Sequence, residues 1–171
     1  MKERKNMTDN NKEFETNLPT GFFVMEEEWL SDINNKDYKK ANLNDFEDGV
    51  NPYDDASVLL KGSCNLFAFA LHKKYGYTCL NLQTESNSNA HYFCKASYME
   101  KEVYIDVRGI TANLNDVIST FTAGEKYNII EYDFRNEKIL SKADEHGLEF
   151  AEHLINILPD FYNVNGLGGA L

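Results

Sequence analysis

Gly62-Ser63-Cys64-Asn65-Leu66-Phe67-Ala68-Phe69-Ala70-Leu71 is the stretch on which the fold turns. Ser63 suits an N-cap, Lys73 and Lys74 fall where a last turn complements the helix dipole, and Gly76 suits the position just past the end. A helix from Cys64 to Tyr75 is therefore expected. Its apolar residues Leu66, Phe67, Phe69, Ala70 and Leu71 go most of the way round, the pattern of a helix buried against a sheet.

Downstream, Thr78 to Gln83 alternates like a strand, and Glu85 to Asn89 reads as a polar loop. His91 to Tyr98 and Glu102 to Val107 read as a hairpin with its turn near Met99 to Lys101. Leu114 to Phe121 suggests a short helix, Tyr127 to Phe134 a fourth strand, and Lys142 to Leu158 an amphipathic helix closed by Pro159. Upstream, Phe22 to Leu30 reads as a short covering helix anchored by Trp29 and Leu30, and residues 32–55 as polar chain turned at Gly49 and Pro52. The expected class is α+β, with the cysteine-bearing helix packed on an antiparallel sheet. Residues 1–18 read as a loose polar arm, 19–163 as one domain and 164–171 as a glycine-rich tail.

With 171 residues, 42% hydrophobic and 13% aromatic, the chain has the means to bury a core in one domain. Its 28 acidic residues against 17 Lys plus Arg give a formal charge of -11, which argues against nucleic acid held through phosphates and permits a basic protein partner. No run approaches the roughly 18 apolar residues of a membrane span, and no apolar segment follows the charged N-terminus as in a secretory signal. No membrane contact is expected, and a cytoplasmic location, bacterial or in a host cell, is the natural reading. The three cysteines, Cys64, Cys79 and Cys94, contain no CxxC pair, so neither a disulfide framework nor structural zinc is expected, nor any cofactor.

The order of a cysteine, a histidine and an aspartate carries the chemistry. A thiol is a poor nucleophile until its thiolate is favoured, and the free N–H groups and partial positive charge of a helix N-terminus favour it. Cys64 holds that place. His91 opens the next strand but one and is the histidine placed to hold a thiolate and later protonate a leaving amine. His72 lies two turns into the cysteine's own helix, whereas His146 and His153 belong to the acidic C-terminal helix.

Asp106 is the candidate for fixing the imidazole. An even hairpin loop pairs Ser97 with Glu102 and sets Asp106 opposite Phe93, on the face of His91; an odd loop turns it away. For the oxyanion of acyl transfer the Cys64 backbone N–H is the first candidate donor. Asn51, Tyr53, Asn65 and Gln83 are unranked candidates for the second.

Cys64 within Gly62-Ser63-Cys64-Asn65-Leu66-Phe67-Ala68, His91 within Ala90-His91-Tyr92-Phe93, and Asp106 within Tyr104-Ile105-Asp106-Val107-Arg108-Gly109 together resemble the papain-like superfamily of cysteine hydrolases, in particular its transglutaminase-like branch. The resemblance covers about residues 58–110. It implies a papain-like core and the roles of nucleophile, base and orienting carboxylate for Cys64, His91 and Asp106. The tryptophan that often precedes the family's cysteine is replaced by Ser63, and the Cys64-to-His91 interval is short for the family, implying a trimmed core. Members include peptidases, glutamine deamidases and toxin or effector domains, so the implied activity is acyl transfer on an amide of a protein or peptide.

Simpler roles stand beside these. An inert Cys64 would fill a core; Cys79 and Cys94 read as core residues, with a disulfide to Cys64 as the alternative; Asp106 has Arg108 or a turn as other partners. His146, Glu149 and His153 share a helical face that reads as solvated acidic surface rather than a metal site. The competing function is a non-catalytic acidic protein, such as a phage-type inhibitor that presents carboxylates to a basic host protein.

Overall fold

In a computed structural model, residues 23–24, 26–34, 43–134 and 140–165 are described; the readings for residues 1–18 and 166–171 lie outside them. The chain builds β1 (Phe23–Val24), α1 (Glu27–Leu30), two turns of 3-10 helix (Leu43–Asp45 and Ala56–Leu59), α2 (Cys64–Tyr75), β2 (Thr78–Thr84), β3 (His91–Tyr98), β4 (Lys101–Asp106), β5 (Gly109–Thr111), α3 (Leu114–Thr122), β6 (Tyr127–Glu131), α4 (Lys142–Ile157) and α5 (Pro159–Tyr162). The six strands form one sheet in the order β1-β5-β4-β3-β2-β6, with every neighbouring pair antiparallel. The fold is α+β.

The expected helix α2 runs from Cys64 to Tyr75 and ends at Gly76, whose φ of 75° is left-handed and whose N–H bonds the His72 carbonyl at 2.8 Å. Ser63 occupies the N-cap but its side chain makes no cap hydrogen bond. Its hydroxyl acts on the Tyr53 phenol instead. Leu66, Phe67, Ala68, Ala70 and Leu71 of α2 are buried, with Cys79 and Cys94 of the sheet and Phe150, Ala151 and Leu154 of α4 in the same core. Gly147 makes this packing possible, since a Cβ there would lie 2.6 Å from the Tyr53 ring and 2.7 Å from Leu66.

The opposite sheet face carries a smaller cluster in which Leu80, Leu82 and Phe93 meet Val117 and Ile118 of α3. Alternation along the strands separates the two faces: Cys79 and Cys94 look toward α2, and Leu80, Leu82 and Phe93 toward α3.

Of the two loop parities left open, the even one is found: Ser97 pairs with Glu102, and Tyr98 and Lys101 also pair, so the turn read as Met99 to Lys101 is only Met99-Glu100, with φ of 49° and 65°. The loop is even and the register is the one that sets Asp106 on the face of His91.

Several expectations change. The Phe22 to Leu30 segment is not one helix: Phe23 and Val24 pair with Ile110 and Gly109 of β5, and only Glu27–Leu30 is helical, with Trp29 and Leu30 buried. The strand read from Tyr127 to Phe134 stops at Glu131, because beyond the Tyr132 N–H bond to the Cys79 carbonyl the chain turns to place Phe134 on the Phe69 ring at 4.9 Å. Pro159 does more than close α4, since it begins α5, where a missing N–H costs nothing. The core also continues one residue past 163: Val164 is buried and its N–H donates to the Tyr77 hydroxyl at 2.8 Å.

Candidate active site

Cys64 and His91 reach each other at the end of the sheet. The registered pairs of β3 with β4 run from Tyr98↔Lys101 to Cys94↔Ile105, whereas those with β2 continue to Leu82↔His91. Residues 91–93 therefore have a registered neighbour on one edge only, and β4 itself turns through Val107-Arg108 into β5. On that released stretch the Tyr92 N–H donates to Cys64 Sγ at 3.3 Å. A thiol from the α2 face and an imidazole from the α3 face would be kept apart by the sheet anywhere but at its end.

His91 is fully buried, and its Nε2 lies 3.0 Å from Asp106 Oδ2. Its Nδ1 is buried with no partner at full hydrogen-bonding geometry, and the Cys64 thiol is close enough to act on the ring. Burial disfavours the charged imidazole, but Asp106 and Cys64 outweigh it and raise its proton affinity above the ordinary value. Phe121 of α3 covers the ring face to face, with centroids 4.0 Å apart and an 11° tilt; Phe93 stacks more distantly, at 5.7 Å. The carboxylate fixes the ring's azimuth, and the aromatic walls fix its plane.

Asp106 does not choose between His91 and Arg108; it holds both. Oδ2 accepts from Arg108 Nη2 at 2.7 Å, and Oδ1 accepts the Arg108 backbone N–H at 2.8 Å and Nε at 3.2 Å. Burial pushes the carboxyl's proton affinity up, but the Arg108 charge and the hydrogen bonds from His91 and Arg108 hold it well below the usual carboxylate range. Arg108 continues to Val117 O and Thr120 Oγ1, tying the carboxylate to α3.

The oxyanion candidates separate. The Cys64 N–H is first in α2, where no helical carbonyl can receive it. Asn51 Oδ1 accepts the Tyr53 N–H at 2.9 Å, and the Tyr53 hydroxyl donates to Asp144 at 2.9 Å, so both serve a turn and a helix contact. Burial and Asp144 push the Tyr53 phenol up to about 12, against the lowering effect of Ser63. Asn65 and Gln83 are both half-buried. Gln83 follows Leu82, the registered partner of His91, and alternation gives it the α2 face shared with Cys79, which makes it the better placed of the two.

The remaining cysteines and histidines have other work. Cys79 and Cys94 are registered partners with sulfurs 3.7 Å apart, and both point at the Ala68 carbonyl; all three cysteines are free thiols. His72 bonds the Tyr77 carbonyl, and His146 meets Asp45 at 2.9 Å and lies against the Phe46 ring at a 38° tilt. Among the described residues no group of three or more His, Cys, Asp and Glu side chains stands ready for a metal ion, and no helix is long and apolar enough to cross a membrane.

Sequence reasoning missed Phe121 as a wall of the site, although its signal was present: Leu114, Val117, Ile118 and Phe121 fall at i, i+3, i+4 and i+7, the stripe by which α3 faces the sheet. It also counted Arg108 as a competitor for Asp106 rather than its second partner. No protein-family model matches this chain, and neither the curated proteins nor the solved structures searched contain a match.

Proposed function

We propose that this protein is a cysteine-dependent acyl-transfer enzyme acting on an amide of a protein or peptide, with Cys64 as nucleophile, His91 as base and acid, and Asp106 as the orienting carboxylate. The observation that carries the reading is the buried Asp106–His91 pair, whose Nδ1 is left without a partner while Cys64, bonded to the Tyr92 N–H next in the chain, is close enough to raise the ring's proton affinity. In the first half-reaction the Cys64 proton passes to His91, sulfur bonds to the carbonyl carbon, and the C–N bond breaks as His91 returns the proton to the departing amine or ammonia. Water, deprotonated by His91, then attacks the thioester and frees the thiol; an amine in place of water gives transamidation. Cys64 N–H and Gln83 are the proposed donors to the oxyanion.

Peptidase, glutamine deamidase and transglutaminase-like activity share this first half-reaction, and the resemblance to the papain-like superfamily and its core belongs to the same proposal. The formal charge of -11 supports a basic protein or peptide as substrate. The test is mass spectrometry of a peptide library prepared from basic proteins, incubated with the wild type or Cys64→Ala. New termini, glutamine converted to glutamate, or cross-linked amines that require Cys64 support the proposal. Identical spectra with both proteins contradict it, and high-affinity capture of a basic protein by Cys64→Ala would then favour the acidic inhibitor.

A further inference from the structure

Arg108 is 4% exposed and gives four hydrogen bonds to Asp106, three of them from its guanidinium, so the carboxylate has a full counter-ion before His91 takes any proton. A guanidinium keeps its charge at every working pH. Consider then the charges of the enclosed groups. With Arg108 positive, Asp106 negative, His91 neutral and Cys64 a thiol, the net charge is zero. Moving the thiol proton to His91 leaves it at zero, so the transfer requires no charge to enter or leave a site shielded from water.

Without the guanidinium the balance changes. Asp106 alone leaves the resting site with one negative charge, and the neutral state is then reached by drawing a proton from solvent onto His91 while Cys64 stays a thiol. Ionising the thiol restores an uncompensated negative charge, which a low-dielectric site resists. Among the described residues no neighbouring group replaces the missing cation: Glu27 of α1 and Asp116 of α3, which also act on Arg108, are exposed carboxylic residues, and Tyr162 and Cys94, which feel the Asp106 charge, are buried groups whose proton affinities are raised.

We infer that Arg108 is a positioning residue for the thiol–imidazole pair: by neutralising Asp106 it frees His91 from serving as that carboxylate's counter-ion and makes the imidazole available to the Cys64 proton. Its contacts to Val117 O and Thr120 Oγ1 hold the guanidinium in place while it does so. This inference rests on the proposed pairing of Cys64 with His91.

The experiment is the pH profile of Cys64 alkylation by iodoacetamide, read by peptide-level mass spectrometry on the intact chain, for wild type, Arg108→Gln, Arg108→Lys and His91→Ala, with folding checked by circular dichroism. Arg108→Gln should move the midpoint to more alkaline pH by on the order of one unit, the usual effect of losing a close opposite charge. Arg108→Lys, which keeps the charge and loses the fork, should stay near the wild-type midpoint. A folded Arg108→Gln with an unchanged midpoint overturns the inference, as does an Arg108→Lys shifted as far as Arg108→Gln; where Arg108→Gln does not fold, Arg108→Lys decides by the same criterion against wild type. A profile that His91→Ala leaves unchanged instead removes the underlying pairing, which separates that failure from this one.

Discussion

The β3–β4 hairpin ends in two unlike ways. At one end Tyr98 and Lys101 pair across a two-residue turn, and Met99 at its tip is 72% exposed. At the other, registered pairing has stopped, yet His91 and Asp106 are buried and joined through their side chains at 3.0 Å. A regular ladder consumes the backbone groups of both strands, so side chains only decorate it. Where the ladder is released, a backbone amide turns to a thiol and a carboxylate gathers an imidazole and a guanidinium. The cysteines repeat the contrast: Cys94 lies in the paired stretch opposite Cys79, while Cys64 meets the released one.

The largest expected effect lies at the released end. His91→Ala removes the proposed base, and cysteine-dependent turnover should fall by roughly 10²–10⁴-fold, the usual worth of a positioned proton-transfer group, with the fold retained by circular dichroism. Turnover unchanged by this substitution would break the contrast. Asp106→Asn should keep part of the thiol's reactivity while lowering turnover, because an amide disturbs the ring's tautomer and orientation.

Phe67→Ala is a control taken from the core that serves both ends. Phe67 is 1% exposed and packs edge-on against Tyr162 at 5.0 Å, so its truncation should cost about 3–5 kcal/mol in denaturant unfolding. Below its unfolding transition the variant should keep the order of cysteine reactivities.

The pH dependence of stability is expected to be smaller and two-sided. Asp106 has a depressed proton affinity in the fold, so its contribution is present above the unfolded carboxylate range and is lost as pH falls through the folded value. His91 has a raised one, so its contribution is complete below the unfolded histidine value, near 6.5, and is lost as pH rises through the folded value. Unfolding free energy should therefore decline from mildly acidic toward alkaline pH, and His91→Ala should flatten that decline in urea melts at several pH values. The smallest change is at the closed end. Glu100→Gly relieves a left-handed backbone, φ 65°, and should stabilise by about 1 kcal/mol in the same melts without altering Cys64 labelling.

Much of this arrangement was legible in the chain. The α2 boundaries followed from Ser63 and Gly76, and strand alternation with an even loop placed Asp106 on the face of His91. What escaped was set by partners far away in sequence. Phe23–Val24 and Gly109–Thr111 are too short to show a period and exist as strands because they pair with each other and the second also pairs with β4. The Ser63 hydroxyl left its cap for Tyr53, and Arg108 was readable only as one side of a choice, because local sequence cannot show that a carboxylate has room for both neighbours.

The most direct test of the central claim is the relative alkylation of the three thiols in the folded protein near neutral pH, with iodoacetamide labelling mapped to Cys64, Cys79 and Cys94. Cys64 is 8% exposed at a helix start beside His91, whereas Cys79 and Cys94 are 2% and 0% exposed. The account predicts that Cys64 reacts fastest and that His91→Ala slows its labelling. Equal labelling of all three, unchanged by His91→Ala, would make Cys64 a core residue and contradict the account.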